Sequence, residues 1–387
     1  MRGFTNANVT NEGHTCLDLT MKRHYFRSIV GASLAISLGF PLAISLRASE
    51  FVYVANSYSN TVSAFSIDQT TGALDSVPGS PFATGGRVNF SVVADPTSQF
   101  LYVANNGSGN IAGYSINQTT GALTPISGSP FGMADRPQSV AVDPTGRFVY
   151  TADWGGARGN KVKGLTINQT TGALKGIPGS PFSAGSGAYS VGVDPAGRFV
   201  YVANENADTV SGFSINQATG ALTPVPSSRF ATGSKPDSVF VEPTGKFAYV
   251  ANWAGGTIAG YSITQTTGAL KSLSSSPFAT ASGPSGIASD PTGKFLYVAN
   301  QFANSVSGYS INQTTGALTP LPGSPFAAGR EPISVAVDPT GKFAYVANFL
   351  DNSVSAYRID QTTGALTPGS SFSTGGYAFW ITVTQIP

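Results

Sequence analysis

The chain has 387 residues with 46 Gly, 25 Pro and only 10% charged residues, the composition of a turn-dense, weakly charged globular protein. Lys and Arg number 21 against 19 Asp and Glu, and the small excess lies in the first 50 residues; a body without net positive charge excludes nucleic acid as a partner, because phosphate neutralisation needs a basic face. The one cysteine, Cys16, and the two histidines, His14 and His24, all precede residue 51, so beyond it Cys/His zinc sites and Ser-His-Asp or Cys-His catalysis are excluded.

The N-terminal segment reads as a targeting sequence. Met21-Lys-Arg-His-Tyr-Phe-Arg27 is basic, residues 29–46 are apolar and uncharged, and small residues suited to cleavage follow at Ala43-x-Ser45 or at Ala48. This predicts a signal peptide within residues 1–48, with a start at Met1 or Met21. The alternative is an uncleaved membrane anchor, for which the apolar run is just long enough. Either way the body, residues 49–387, is expected outside the cytoplasm, periplasmic or secreted.

The body opens on Phe51-Val-Tyr-Val-Ala-Asn56, and the phrase Tyr-Val-Ala-Asn returns at Tyr102, Tyr201, Tyr249, Tyr297 and Tyr345, with a degenerate Tyr-Thr-Ala-Asp at Tyr150. The spacing of 48 to 51 residues marks one supersecondary unit copied in tandem. Within a unit the elements follow in a fixed order. After the Tyr-Val-Ala-Asn strand a loop leads to a strand such as Ser353-Val-Ser-Ala-Tyr-Arg-Ile359. An Asp-Gln-Thr-Thr-Gly turn then precedes a short strand such as Ala365-Leu-Thr-Pro368. A Gly/Ser/Phe segment returns to a run of small apolar residues, as in Ile333-Ser-Val-Ala-Val-Asp338, and Pro339-Thr-Gly341 turns the chain into the next unit. Four short antiparallel strands per unit predict the blade of a β-propeller, with the small-residue strand innermost where blades converge. The chain ends on Phe379-Trp-Ile-Thr-Val-Thr384, an inner strand with no second strand after it, whereas residues 51–56 are a second strand with no inner strand before them. Pairing these two orphans closes the ring and gives seven blades, with no open edge.

The Tyr-Val-Ala-Asn phrases, with Asp68-Gln-Thr-Thr-Gly-Ala-Leu74, Asn117-Gln-Thr-Thr-Gly-Ala-Leu123 and Asp360-Gln-Thr-Thr-Gly-Ala-Leu366, resemble the lactonase-type seven-bladed propellers and the overlapping YVTN-repeat propellers. The resemblance covers residues 51–387. It implies an all-β seven-bladed propeller and, as a candidate activity, hydrolysis of a ring ester by a 6-phosphogluconolactonase-like protein, or the reverse reaction.

Positions shared by all units are read as scaffold. The Asp-Pro carboxylates (Asp95, Asp143, Asp194, Asp290, Asp338, and Glu242 in Glu-Pro) are suited to holding the following turn, and the Asn ending each second strand to bracing a loop. The informative positions break the repeat. The residue just before the inner-strand serine runs Phe90, Gln138, Tyr189, Asp237, Ser285, Ile333 and Phe379, and the neighbouring positions supply Arg87, Arg136, Lys235, Arg330, Glu331 and Tyr377. All should lie around one mouth of the channel, where a ligand could be read. For lactone hydrolysis Asp237 or Glu331 would activate water, and Arg87, Arg136, Lys235 or Arg330 would hold an acid group and the oxyanion, with Tyr189 and Tyr377 beside them. Arg330 and Glu331 are adjacent on an extended segment and should point apart. The loops after the second strands carry Tyr58, Trp154, Trp253, Phe302 and Phe349; as a rim they could stack on a glycan or anchor a protein, or cap the seams between blades. Two functions follow: an exported hydrolase of a small sugar or aromatic lactone, or a non-catalytic binding propeller recognising glycan or protein through its rim. A monomer is expected, with membrane contact only through an uncleaved N-terminal segment. No cofactor is called for, and a calcium ion held by backbone carbonyls in the channel remains compatible with the pattern.

Overall fold

The computed structural model describes residues 49–132, 135–154 and 160–386. The predicted targeting segment lies outside these residues. The body is a ring of seven antiparallel sheets, essentially without helix. Blade four is representative: Ala188–Val193 is innermost, followed outward by Phe199–Asn204, Thr209–Ile215 and Leu222–Pro224. The inner strands of blades two, three, five, six and seven are Asn89–Ala94, Pro137–Val142, Pro236–Val241, Pro284–Ser289 and Pro332–Val337. Blade one is built from both ends of the body: Ala378–Ile386 pairs antiparallel with Ser49–Asn56, with Val54 opposite Ile381. Ring closure is therefore as the orphan strands predict.

The returning Gly/Ser/Phe segment, to which the sequence pattern assigns no strand, contributes a two-residue strand in five blades, such as Phe82–Ala83, which pairs with the third strand through Val62. The register delivers the Phe ring into the space above a small or branched residue of that strand. Phe82 and its counterparts thereby fill what a three-residue outer strand leaves open.

The core is seven seams between blades. Each seam packs the second strand of one blade against the sheet of the next: Phe51, Tyr53 and Ala55 meet Leu101, Val103 and Tyr114, and at closure Phe343, Tyr345 and Ala347 meet Val52, Val54 and Ile381. Each buried Phe or Tyr side chain contributes roughly 1.5–3 kcal/mol. The Tyr of every Tyr-Val-Ala-Asn phrase is fully buried, and its hydroxyl donates to the Gly carbonyl of the next blade's Thr-Thr-Gly turn: Tyr53 to Gly121 at 2.8 Å, Tyr201 to Gly268 at 2.8 Å, Tyr297 to Gly364 at 2.7 Å. That glycine also has a left-handed φ of +71° at Gly121, where an added Cβ would lie 2.2 Å from the Phe51 ring. Tyr, Phe and Gly recur together because they form one contact.

Inner strands are stitched by their serines. Ser91 Oγ accepts from Val140 N at 3.2 Å, Ser139 Oγ from Val191 N at 3.3 Å and Ser190 Oγ from Val239 N at 3.2 Å. The Asp-Pro carboxylates hold the turns, as read: Asp95 Oδ1 accepts from Phe100 N at 2.6 Å and Asp194 Oδ1 from Phe199 N at 2.7 Å.

Candidate functional site

Because the inner strands converge, the residue preceding each inner-strand serine arrives at one mouth of the axial channel. Three spaces lie along the axis. A cavity of about 180 Å³ at the mouth is bounded by Tyr189, Asp237, Ser285 and Ile333 from the inner strands, by Phe379, and by Glu205, Trp253 and Gln301 from the loops above. Below it a neck of about 10 Å³ runs between Gln138, Tyr189, Phe90 and Trp380, room for roughly one water. Beyond Trp380 a cavity of about 350 Å³ is walled by Val140, Val191, Val239 and Val241. The last is the largest, but no titratable side chain lines it. The titratable side chains gather at the mouth.

Asp237 is the carboxyl at the centre of that group. Ser285 Oγ donates to its Oδ2 at 2.5 Å across the seam between blades five and six, and the Tyr189 hydroxyl lies within hydrogen-bonding reach of the same carboxyl. Burial pushes the Asp237 carboxyl up to about 7; Glu205 pushes the same way, while the bonds from Ser285 and Tyr189 hold it down. Burial raises the Tyr189 phenol well above its usual range, with Asp237 and Glu205 adding to the effect. A half-protonated carboxyl at neutral pH, facing a cavity and held by two hydroxyls, can take a proton and return it.

The other nominated residues divide. Trp253 lines the cavity, but its indole N–H is used in a bond to Gln301 Oε1 at 2.9 Å on the next blade. Trp154 does the same two blades earlier, donating to Glu205 Oε2 at 2.9 Å. Both indoles therefore cap seams, and of the rim aromatics Tyr58 and Phe302 are the ones that stand exposed, at 59% and 53%. Glu331 does not line the cavity: it accepts from Gln301 Nε2 at 3.0 Å and stands behind that amide.

None of the four nominated cations lines the cavity. Arg330 pairs with Asp351 at 2.6 Å on the exposed rim. Lys235 donates to Asn206 Oδ1 at 2.7 Å and lies 3.8 Å from Glu205 Oε1. Arg136 stacks over the Trp154 ring at 5.4 Å, and Arg87 is exposed. For Lys235 and Glu331 the physical reason lies in the backbone. Lys235 and Glu331 have φ of 54° and 51°, held there because Asp208 Oδ1 and Asn304 Oδ1 of the preceding loop accept from their N–H groups at 2.8 and 2.9 Å. The scaffold does dictate this position, contrary to the expectation that it was free. Its left-handed turn sends the side chain along the rim and not into the lumen. Arg330 and Glu331 diverge as expected. Tyr377 lies on the aromatic side of the mouth, against Phe349 at 5.2 Å.

Glu205 and Gln301 were missed from sequence. They stand directly after the Asn of the second strand, the same repeat position as Trp154, Trp253 and Phe349. Aligning that position across units would have found them. Among the described residues no group of three or more His, Cys, Asp or Glu comes together that could hold a metal ion.

The sequence profile described as "Lactonase, 7-bladed beta-propeller" matches residues 41–134 and 134–383. The chain belongs to this lactonase family. Solved structures share the fold. A putative 6-phosphogluconolactonase from Bacteroides uniformis superposes with a TM-score of 0.75 at 18% identity, over 87% of this chain and 100% of that one. A periplasmic gluconolactonase from Pseudomonas aeruginosa superposes with a TM-score of 0.75 at 19% identity, over 88% of this chain and 100% of that one. A putative 6-phosphogluconolactonase from Bacteroides fragilis gives 0.73 at 22% identity, over 87% and 98%. No curated protein matches the sequence. At these identities the likeness establishes the fold, and the site has to be argued from its own residues.

Proposed function

We propose that this lactonase hydrolyses a small ring ester at the mouth, with Asp237 as general base. The observation that carries the reading is the Asp237 carboxyl, pushed up to about 7 at the edge of a cavity and held by Ser285 and Tyr189. In the forward step the Asp237 carboxylate takes a proton from water as the water oxygen bonds to the lactone carbonyl carbon. The carbonyl electron pair moves onto its oxygen. The Ser285 and Tyr189 hydroxyls hold the carboxylate, and protonation of Asp237 weakens that hold when negative charge develops on the substrate. They are then free to donate to it. As the ring C–O bond breaks, the alkoxide recovers the proton from Asp237 and a hydroxy acid leaves. Family membership and the gluconolactonase names of the similar solved structures support the reaction class.

The test is hydrolysis of a panel of γ- and δ-lactones by the purified chain, followed as acid release. Asp237→Asn is expected to lower kcat by about 10²–10⁴-fold. An unchanged kcat in a folded Asp237→Asn protein would remove the proposal.

A further inference from the structure

We infer that the ring ester opened here carries an apolar side arm, alkyl or aryl, and that this arm lies on an aromatic wall opposite Asp237. The inference rests on the hydrolase reading and names the substrate class for it. Its basis is the way one repeat position is segregated around the ring. In four consecutive blades the residue preceding the inner-strand serine, or its Gly286 counterpart, is polar: Gln138, Tyr189, Asp237 and Ser285. In the remaining three it is apolar: Ile333, Phe379 and Phe90. Since chain order is ring order, the polar four form one arc of the mouth and the apolar three face it.

The apolar arc continues upward. Phe90 packs on Phe379 at 4.6 Å, Phe379 on Phe349 at 6.0 Å, Phe349 on Tyr377 at 5.2 Å and Tyr377 on Tyr58 at 5.2 Å. This is a continuous aromatic wall from the neck to the rim, and its upper members are open to solvent, Tyr58 at 59% and Tyr377 at 41%. Phe379 lines the cavity itself and Phe90 the neck, while Phe349, Tyr377 and Tyr58 carry the surface outward from the cavity to the rim; a contiguous exposed apolar surface leading out of a concave site marks what the site binds. The polar arc retains unspent hydrogen-bonding capacity: Gln138 is only 9% exposed, and its Oε1 has no partner among the described residues.

Charge decides against the phosphorylated alternative. Lys235, Arg136 and Arg330 are engaged along the rim, while Glu205 and Asp237 line the cavity. A phosphate there meets the Asp237 and Glu205 carboxylates, and Lys235, 3.8 Å from Glu205, is already paired with that carboxylate. A polyhydroxylated arm fares little better, because its hydroxyls on the aromatic side find no partner. An alkyl or aryl arm needs none, and gains roughly three- to fourfold in affinity per buried methylene.

The experiment is a fluorescence titration of the intact chain, using its tryptophans, with γ-lactones bearing no substituent, butyl, octyl or phenyl, and with glucono-1,5-lactone. Turnover of each is measured in parallel. Expected is an affinity that climbs with arm length, at least tenfold from unsubstituted to octyl, with gluconolactone weaker than butyl. Tyr58→Ala/Tyr377→Ala, both at exposed positions, should flatten the climb, and Phe349→Ala should flatten it further. Turnover with no dependence on the arm, or a preference for gluconolactone, overturns this inference and leaves the hydrolase reading standing. A climbing affinity lost in the aromatic variants but without turnover of any lactone upholds the wall and overturns the hydrolase. A chain that binds none of these lactones overturns the inference.

Discussion

The phenol of Tyr345 donates to the carbonyl of Gly72 at 3.1 Å across 273 residues of chain. It is the seventh copy of the inter-blade bond, and the one that joins the last second strand to the first outer turn. Replacing Tyr345 by Phe removes the donor and leaves a buried carbonyl without a partner. The expected loss is about 1–2 kcal/mol in denaturant unfolding. Gly72→Ala should cost more, about 3 kcal/mol or beyond, since its Cβ would lie 2.4 Å from the Phe343 ring and φ is +77°. Equal small effects for both would contradict the shared contact.

Asp237 links pH to stability as well as to rate. Its folded value of about 7 stands above the ordinary 3.8, so between those values the folded state holds a proton that the unfolded state has released. Stability is therefore full at low pH and falls as pH rises through this window. Asp237→Asn should be more stable than the parent above pH 7, by about 2 kcal/mol after allowing for partial contact with the lumen. The gain should vanish near pH 4. The same ionisation places the acid limb of kcat near 7, and Glu205→Gln should move that limb to lower pH. A limb that ignores both substitutions would assign it to another group.

Blade three carries a matched exception. In blades one, four, five, six and seven the Asn ending the second strand donates to hydroxyls of the third strand, as Asn204 Nδ2 does to Ser211 Oγ at 3.0 Å, and in blade two Asn105 donates to Asn110 Oδ1. In blade three Asp153 replaces the Asn, Thr151 Oγ1 donates to it at 2.9 Å, and Lys163 occupies the serine's place. Burial pushes the Asp153 carboxyl up to about 6, against the pull of Thr151 and Lys163. Restoring the repeat with Asp153→Asn/Lys163→Ser should therefore raise stability at pH 8 by about 1 kcal/mol and leave it nearly unchanged at pH 4. The melting temperatures of the two proteins at those pH values decide this, and a gain confined to pH 4 would reverse the assigned sign.

Removing Ala378–Ile386 takes away the inner strand of blade one. It exposes one edge of Ser49–Asn56 and half of two seams. The truncated chain should lose its single cooperative thermal transition and elute as aggregate in size exclusion. A monomer melting like the parent would refute the role of this strand.

Blade number, strand order and closure were legible because each rests on local chemistry. Pro-Thr-Gly and Thr-Thr-Gly fix the turns, and the orphan strands at the two ends have only each other to pair with. Asp237 and Tyr189 were legible as departures from the repeat at the channel mouth. Lys235 and Glu331 were placed correctly along the chain but not in space, because a left-handed backbone held by the previous loop's Asp208 or Asn304 turns them along the rim; Arg330 and Arg136 are drawn off by Asp351 and Trp154, partners on other loops. Ser285 was read in the right tier without a role, since its bond to Asp237 crosses a seam that no single unit reveals. The Phe82–Ala83 type of strand was hidden because two residues carry no alternation to detect.

Since all seven seams use the same Tyr, Phe and Gly, nothing in the contacts themselves tells the final strand that its partner belongs to the same molecule. At high concentration, while blade one still waits for its last segment, a neighbouring copy offers an identical edge. Reciprocal exchange between two chains would then yield a swapped dimer with every bond of the monomer intact. The yield of single-chain rings on refolding should accordingly fall as protein concentration rises.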